Sequence, residues 1–368
     1  MTPLPHDPEL APYHFVDVGF ILKWFCIQCS IFTVVMILTD LAYQAVKSKL
    51  KKEGKAEKDY TPFELVVMEL GDAPANIGYQ CSSMVPNGYL TFIGLMSLNN
   101  MHLNFWRYLF VPFGLVWKAT TTTVNKDVDF DFNYRMHGYV DYPYGGELAG
   151  LQFCMNLYNL VIMGVIYVCA EICDFRRFKK CNGLLTVPMF VHHIFTGYMG
   201  LQNIMPHPCH WHSAPFYGGL IESTNIPLGV MDAMKSTKSL PTVFPKFYFY
   251  VRLVFALGFV WLRLVMWTCF NVPMFYDQSR YFLLATDSVW LLEYVPGFVP
   301  LLFSPRDLLV PVKHHWTAPL FNIISIGLVT FLQYKWGYVV VLSLTKAVAP
   351  AWVYEALFGG GAKKAKKE

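Results

Sequence analysis

Apolar runs of about 20 residues recur along this chain, each the length an α-helix needs to cross the hydrocarbon core of a bilayer. No water reaches backbone N–H and C=O groups there, so runs this long and this apolar satisfy those groups internally, as helices. A water-facing surface is hard to build from what remains: 15% of the 368 residues are charged, against about 25% in soluble domains. The chain is therefore expected to be all-α, a polytopic transmembrane helical bundle of about seven spans.

The first span is expected over 16–39. The stretch that follows holds Lys47, Lys49, Lys51, Lys52, Lys55 and Lys58 and must lie in water. Lysines beside a span mark the cytoplasmic side, which puts the N-terminus on the other side. Residues 88–117 are apolar but interrupted by Asn99, Asn100, His102, Asn104 and Arg107, and read as one imperfect span. A turn-rich loop covers 119–147. Clean spans follow at 148–172, ending in Asp174, Arg176, Arg177, Lys179 and Lys180, and at 184–204. The run 214–233 returns to Lys235, Lys238 and Lys246, the span 247–270 carries Arg252 and Arg263, and the last span is 317–342. The stretch 281–303, with Asp287, Glu293, Pro296 and Pro300, reads as interfacial or re-entrant. Seven crossings place every basic cluster on the cytoplasmic side; an eighth would move the basic tail across. The chain thus divides into an N-terminal part (1–147), a transmembrane core (148–342) and a basic cytoplasmic tail (343–368). No internal repeat is visible, which argues against an inverted-repeat transporter.

The net charge is a modest +4, and no soluble segment interleaves basic and aromatic residues, so no nucleic-acid partner is expected. Of the nine cysteines, Cys26, Cys29, Cys154, Cys169 and Cys269 sit inside apolar runs, the behaviour of small buried hydrophobes rather than a disulfide framework. Cys26 and Cys29 form C-x-x-C without a second pair, which is weak as a metal or redox motif. The first ten residues carry two acids, three prolines and no Lys or Arg, unlike a cleavable signal peptide.

Ionisable groups inside spans cost roughly 2.5–3.5 kcal/mol each on insertion scales, so each invites a functional reading. His192 and His193 are adjacent within one span and point about 100° apart. His192 shares a helix face with Thr196. A neutral imidazole pair at that depth serves as general base, nucleophile or ligand, or simply as interhelical hydrogen-bonding groups. In the next span Glu222 and Asn225 are i, i+3 neighbours, and Pro227 breaks the helix near its middle. Arg263 lies mid-span in the following helix, and a Glu222–Arg263 ion pair would satisfy both charges. His207, Cys209, His210 and His212 crowd one loop, but without a helical or hairpin frame they make a poor metal site. His314 and His315 read as interfacial. No metal site and no cofactor are expected.

These residues together resemble the TLC-domain family, which includes ceramide synthases, translocating-chain-associated membrane proteins and lipid-regulating relatives. The resemblance covers 150–342. It is carried by Asp174 ending one span, by His192-His193 followed by Thr196, by Glu222-Ser223-Thr224 with Asn225 and Pro227, by Arg263, and by Asn322 opening the last span. It implies a lipid site around the paired histidines, with His192 and His193 as the catalytic groups and Thr196, Glu222, Asn225 and Arg263 lining the binding site. The implied partners are membrane lipids, with acyl-CoA as a further one if acyl transfer occurs. The synthases carry a pair of aspartates in the helix after the histidines. Here that helix has Glu222 and Asn225, which points to the non-synthase branch. The C-terminal Lys364-Ala-Lys366-Lys-Glu368 matches the K-x-K-x-x dilysine retrieval pattern and implies residence in the endoplasmic reticulum.

Two other classes are open on the sequence. A non-catalytic accessory subunit of a larger membrane complex would suit the aromatic content and the irregular 88–117 and 281–316 regions. A di-iron hydroxylase or desaturase also uses many histidines near spans, but needs H-x-x-H-H or H-x-x-x-H boxes that this chain lacks.

Overall fold

The computed structural model describes residues 18–100, 145–175, 178, 186–204, 215–285 and 317–348. Among them there is no strand. Four helices are long and apolar enough to cross a membrane: Val18–Glu53, Gly146–Ile172, Pro245–Asn271 and Leu320–Lys346. The outer face of the bundle is rich in apolar side chains, and its interior mixes polar with apolar ones. Gln28, Asn87, Gln152, Asn156, His193, Arg263 and Gln333 are buried, while Leu38, Val161, Val254, Phe331 and Tyr338 are exposed. Apolar side chains outside and polar ones facing inward are what a hydrocarbon solvent selects.

Helix α1 (Val18–Glu53) outruns its expected end at residue 39. Lys and Glu are good helix formers, so the basic stretch continues the same helix into water, helped by an i, i+4 contact from Lys49 to Glu53 at 3.9 Å. It stops at Gly54, whose φ of +63° permits a Schellman turn: Gly54 N–H donates to Lys51 O and Lys55 N–H to Leu50 O. Helix α2 (Pro62–Leu70) follows, started by a capping box between Thr61 and Glu64 with proline in the first turn. Helix α3 (Pro74–Asn100) begins 14 residues before the expected span start at residue 88. Its Gly94 and Gly219 let two backbones cross in near contact, since a Cβ on Gly94 would lie 2.6 Å from the Gly219 Cα.

Helix α4 (Gly145–Tyr167) continues through a π-helical turn, Val168–Ile172. Asp174, left-handed at φ 55°, ends it. Helix α5 (Val187–Ile204) packs closely on α4, because Gly200 admits the Phe153 backbone and Gly197 admits Asn156. The stretch after it runs through a π turn (Pro215–Gly219) and a 3-10 turn (Leu220–Thr224) into α6 (Asn225–Lys235). The departure from regular α-helix therefore precedes Pro227, which sits in the first turn of α6 where a missing N–H is harmless, rather than breaking a helix in its middle. After the one-turn α7 (Leu240–Val243), helix α8 (Pro245–Gly258) continues through a π-helical stretch (Phe259–Met266) into α9 (Trp267–Ala285). This continuous helix extends 15 residues beyond the expected end at residue 270 and takes in the first residues of 281–303. Helix α10 (Thr317–Val348) closes the bundle. Leu90, Ile93, Leu148, Phe216, Met266 and Ile326, from α3, α4, the π turn, the α8–α9 helix and α10, form the largest core cluster.

One end of the bundle collects the described basic clusters. Glu69 of α2 accepts from the Ser239 N–H at 2.8 Å and the Ser239 hydroxyl at 2.5 Å, which ties the α1–α2 corner to the Lys235–Lys246 region. Phe178, just past α4, packs against the cluster that Phe32, Ala75, Tyr79, Tyr158, Ile162 and Ile166 form. Helix α10 runs antiparallel to the α8–α9 helix, with Thr330 near Trp267 and Val340 in the cluster of Phe255 and Phe259, so Lys346 reaches the same end.

Candidate functional site

The two histidines leave α5 in different directions. The ring of His193 turns to α4, and the ring of His192 turns to α10, edge-on to Trp336 at 5.4 Å between centroids. The rings meet each other edge to face at 5.2 Å. On α4 the receiving groups are amides. Asn156 Nδ2 donates to the Gln152 carbonyl at 2.8 Å, which fixes the orientation of that amide and leaves Oδ1 as an acceptor. The Thr196 hydroxyl donates to Asn156 Oδ1 at 2.6 Å, and His193 Nδ1 lies 3.0 Å from the same oxygen.

That arrangement assigns the His193 tautomer. An amide oxygen accepts only, so His193 Nδ1 carries the proton and donates it to Asn156. Nε2 then presents its lone pair, and this nitrogen is buried without a hydrogen-bond partner among the described residues. Asn159 Nδ2 lies 3.4 Å from His193 Nδ1. Two donors do not bond, so the amide is better placed turned over, with its Oδ1, otherwise without a partner among the described residues, facing the ring. His192 Nδ1 is likewise buried without a partner among the described residues. Thr196, on the same helix face as His192, does not bond its ring. Its hydroxyl reaches the His192 backbone carbonyl at 2.7 Å and Asn156, because a helical Thr readily bonds the carbonyl four residues back.

A second polar group forms where two helices leave regular α geometry. Arg263, in the π-helical stretch, is 5% exposed. Its Nε donates to Thr224 Oγ1 at 2.6 Å, Nη2 to Asn225 Oδ1 at 2.8 Å and to Ile221 O at 3.4 Å, and Nη1 to Gln333 Oε1 at 3.5 Å. Asn225 Nδ2 in turn donates to Glu222 Oε2. The expected Glu222–Arg263 ion pair is thus replaced by a bridge in which the two ends of one amide serve the two charges. The reason is local: the 3-10 turn carries Thr224 and Asn225 to the guanidinium ahead of Glu222. Such π-helical insertions recur at functional sites because they redirect side chains out of the i→i−4 ladder.

Helix α10 links the two groups. Gln333 and Trp336 are i, i+3 neighbours, one receiving Arg263 and the other packing on His192, and the guanidinium lies within electrostatic reach of His192. The amide set Gln152, Asn156 and Asn159 and the α10 pair Gln333 and Trp336 escaped the sequence reading. The first had a usable signal, since amides spaced i, i+4, i+7 mark one polar stripe on an otherwise apolar span. Asn322, buried at 3%, donates to Gln278 rather than to either group.

Among the described residues no three of His, Cys, Asp and Glu converge closely enough to hold a metal ion. The loop holding His207, Cys209, His210 and His212, and the pair His314–His315, lie outside the described residues. No protein-family model, no curated protein and no solved structure matches the chain.

Proposed function

We propose that this chain is a TLC-like integral membrane protein of the non-synthase branch that binds or processes a lipid within the bilayer, with the site centred on His193 and His192. One observation carries the reading: adjacent imidazoles each keep a buried ring nitrogen without a protein partner among the described residues. Most buried polar side-chain atoms in folded proteins have a hydrogen-bond partner. The lone pair on His193 Nε2 suits a base, a nucleophile or an acceptor for a lipid hydroxyl or amine. Of the two, His193 is the first choice for that role, because Asn156 holds its tautomer. Thr196 and Asn156 act as positioning residues. The Glu222–Asn225–Arg263 group forms the polar wall beside it.

The accompanying topology is seven crossings: α1, α3, α4, α5, the 215–235 stretch, the α8–α9 helix and α10, with the N-terminus lumenal and the C-terminus cytoplasmic. The gathering of basic clusters at one end of the bundle supports it. The dilysine-type tail supports residence in the endoplasmic reticulum. The test is lipid mass spectrometry on purified protein, comparing wild type with His193→Ala and Asn156→Ala. A lipid species retained by the wild type and lost from both variants, with thermal stability of the His193 variant preserved, is the expected result. Equal lipid content in all three would reduce the histidines to interhelical hydrogen-bonding groups.

A further inference from the structure

At the basic end of the bundle, α8 begins with Pro245 and carries Lys246 and Arg252, both exposed, within the apolar helical span Pro245–Asn271. Arg252 lies seven residues in, about 10 Å along the axis. Neither cation forms an ion pair among the described residues, and the one ring contact of Arg252 is with Tyr248, at 5.5 Å. Around them Phe244 is 52%, Phe247 56%, Phe249 47% and Tyr250 62% exposed. A cation on the outer face of a span is costly in hydrocarbon unless it meets an anion or snorkels to the surface. Lys246, Phe249 and Arg252 are spaced i, i+3, i+6, so each is the next one's neighbour and the three wind as a stripe over about 120° of the outer helix surface, with Phe249 between the two charges.

The depth of the stripe is set by α10. Leu264 meets Gly337 where the two antiparallel helices touch. From there Arg252 is 12 residues and Lys346 9 residues toward the same end, which puts the two within about 5 Å in height. Arg252 thus stands at the level where α10 finishes in a lysine. That is a headgroup-level girdle of cations and aromatic rings.

We infer that this stripe is a binding site for an anionic phospholipid, its headgroup held by Lys246 and Arg252 and its upper acyl chain lying on Phe249. Charge complementarity identifies the occupant: two cations without ion-pair partners among the described residues, at headgroup depth, face the lipid phase. The site is separate from the histidine group, which lies at the level of Gln333 and Trp336, and it does not depend on the function proposed above.

The experiment reconstitutes the full chain in nanodiscs of phosphatidylcholine with a minor fraction of phosphatidylserine and measures spin-labelled phosphatidylserine against spin-labelled phosphatidylcholine in the protein-bound lipid fraction. Wild type is expected to favour phosphatidylserine on the order of tenfold at low salt, the two cations each contributing a severalfold preference. The preference should fall with added salt, approach that of phosphatidylcholine in the Lys246→Gln/Arg252→Gln double variant, and persist in Arg252→Lys and in Lys58→Gln. Lack of preference in wild type overturns the site, as does a preference that salt leaves untouched or one displaced by a soluble acidic peptide. A folded double variant that keeps the wild-type preference overturns the site, and the single variants Lys246→Gln and Arg252→Gln, each expected to lose a severalfold preference, carry the test if the double variant fails to fold.

Discussion

At the scale of single residues, Asn156 serves two donors with one oxygen and anchors its own nitrogen on α4. Asn156→Leu leaves the His193 Nδ1–H without that acceptor, while the Thr196 hydroxyl keeps the His192 carbonyl, and an unsatisfied buried group costs about 1–3 kcal/mol. A lower unfolding temperature in detergent is expected, with Asn156→Gln less affected. Asn225 carries the coupling between Glu222 and Arg263. Removing one partner of a buried charged pair costs about 3–5 kcal/mol, so Glu222→Gln and Arg263→Gln should each destabilise. Their double variant should lose less than the sum of the two, while in an Asn225→Leu background the coupling energy should fall to what the direct attraction of the two charges leaves. A double-mutant cycle on thermal or denaturant unfolding reads both results. Additive single effects in the wild-type background would contradict the bridge.

Between elements, the closest approach lies where α3 crosses the π turn. A Cβ on Gly219 would stand 2.5 Å from the Gly94 Cα, and backbone cannot give way as a side chain can. Gly219→Ala should therefore cost about 1–3 kcal/mol through overpacking. Gly164, in the middle of α4, meets nothing within 4 Å, and Gly164→Ala should change stability by no more than about 1 kcal/mol, in the stabilising direction. Thermal shift of the two variants side by side separates packing from a general intolerance of substitution. At the basic end, α2 is held by Glu64. Lys49 donates to its Oε1 at 2.9 Å, Lys55 to the same oxygen at 3.5 Å, and the Thr61 N–H to Oε2 at 2.9 Å. The Lys49 hydrogen bond, then the Thr61 backbone, hold this carboxyl down at about 2, below its ordinary 4.5. A lowered folded-state value means the clamp contributes fully above pH 4.5 and is lost as the pH falls through about 2. Hydrogen exchange at the Thr61 and Glu64 amides, corrected for intrinsic rate, should accelerate across that window in wild type and show no such step in Glu64→Gln.

For the whole molecule, terminal tags mapped by glycosylation and protease access should report opposite sides of the membrane; both termini on one side would rule out the seven-span topology. The membrane character and the helical class were legible in the sequence, because each depends on segment length and apolar content alone. His192, His193, Glu222, Asn225 and Arg263 were legible as candidates too, since an ionisable or amide group in an apolar run stands out without any tertiary knowledge. Helix ends were less so: α1 ran on to Glu53 and the α8–α9 helix to Ala285, because helix propensity does not stop where hydropathy does. What only the tertiary structure decided is which polar group meets which. Periodicity gives a residue's face on its own helix, but the rotation and register of one helix against another come from interhelical packing, here from Gly94 on Gly219 and from Gly197 and Gly200 on α4. Those approaches bring Asn156 rather than Thr196 to an imidazole ring, and the irregular turns at 215–224 and 259–266 bring Asn225 between Glu222 and Arg263.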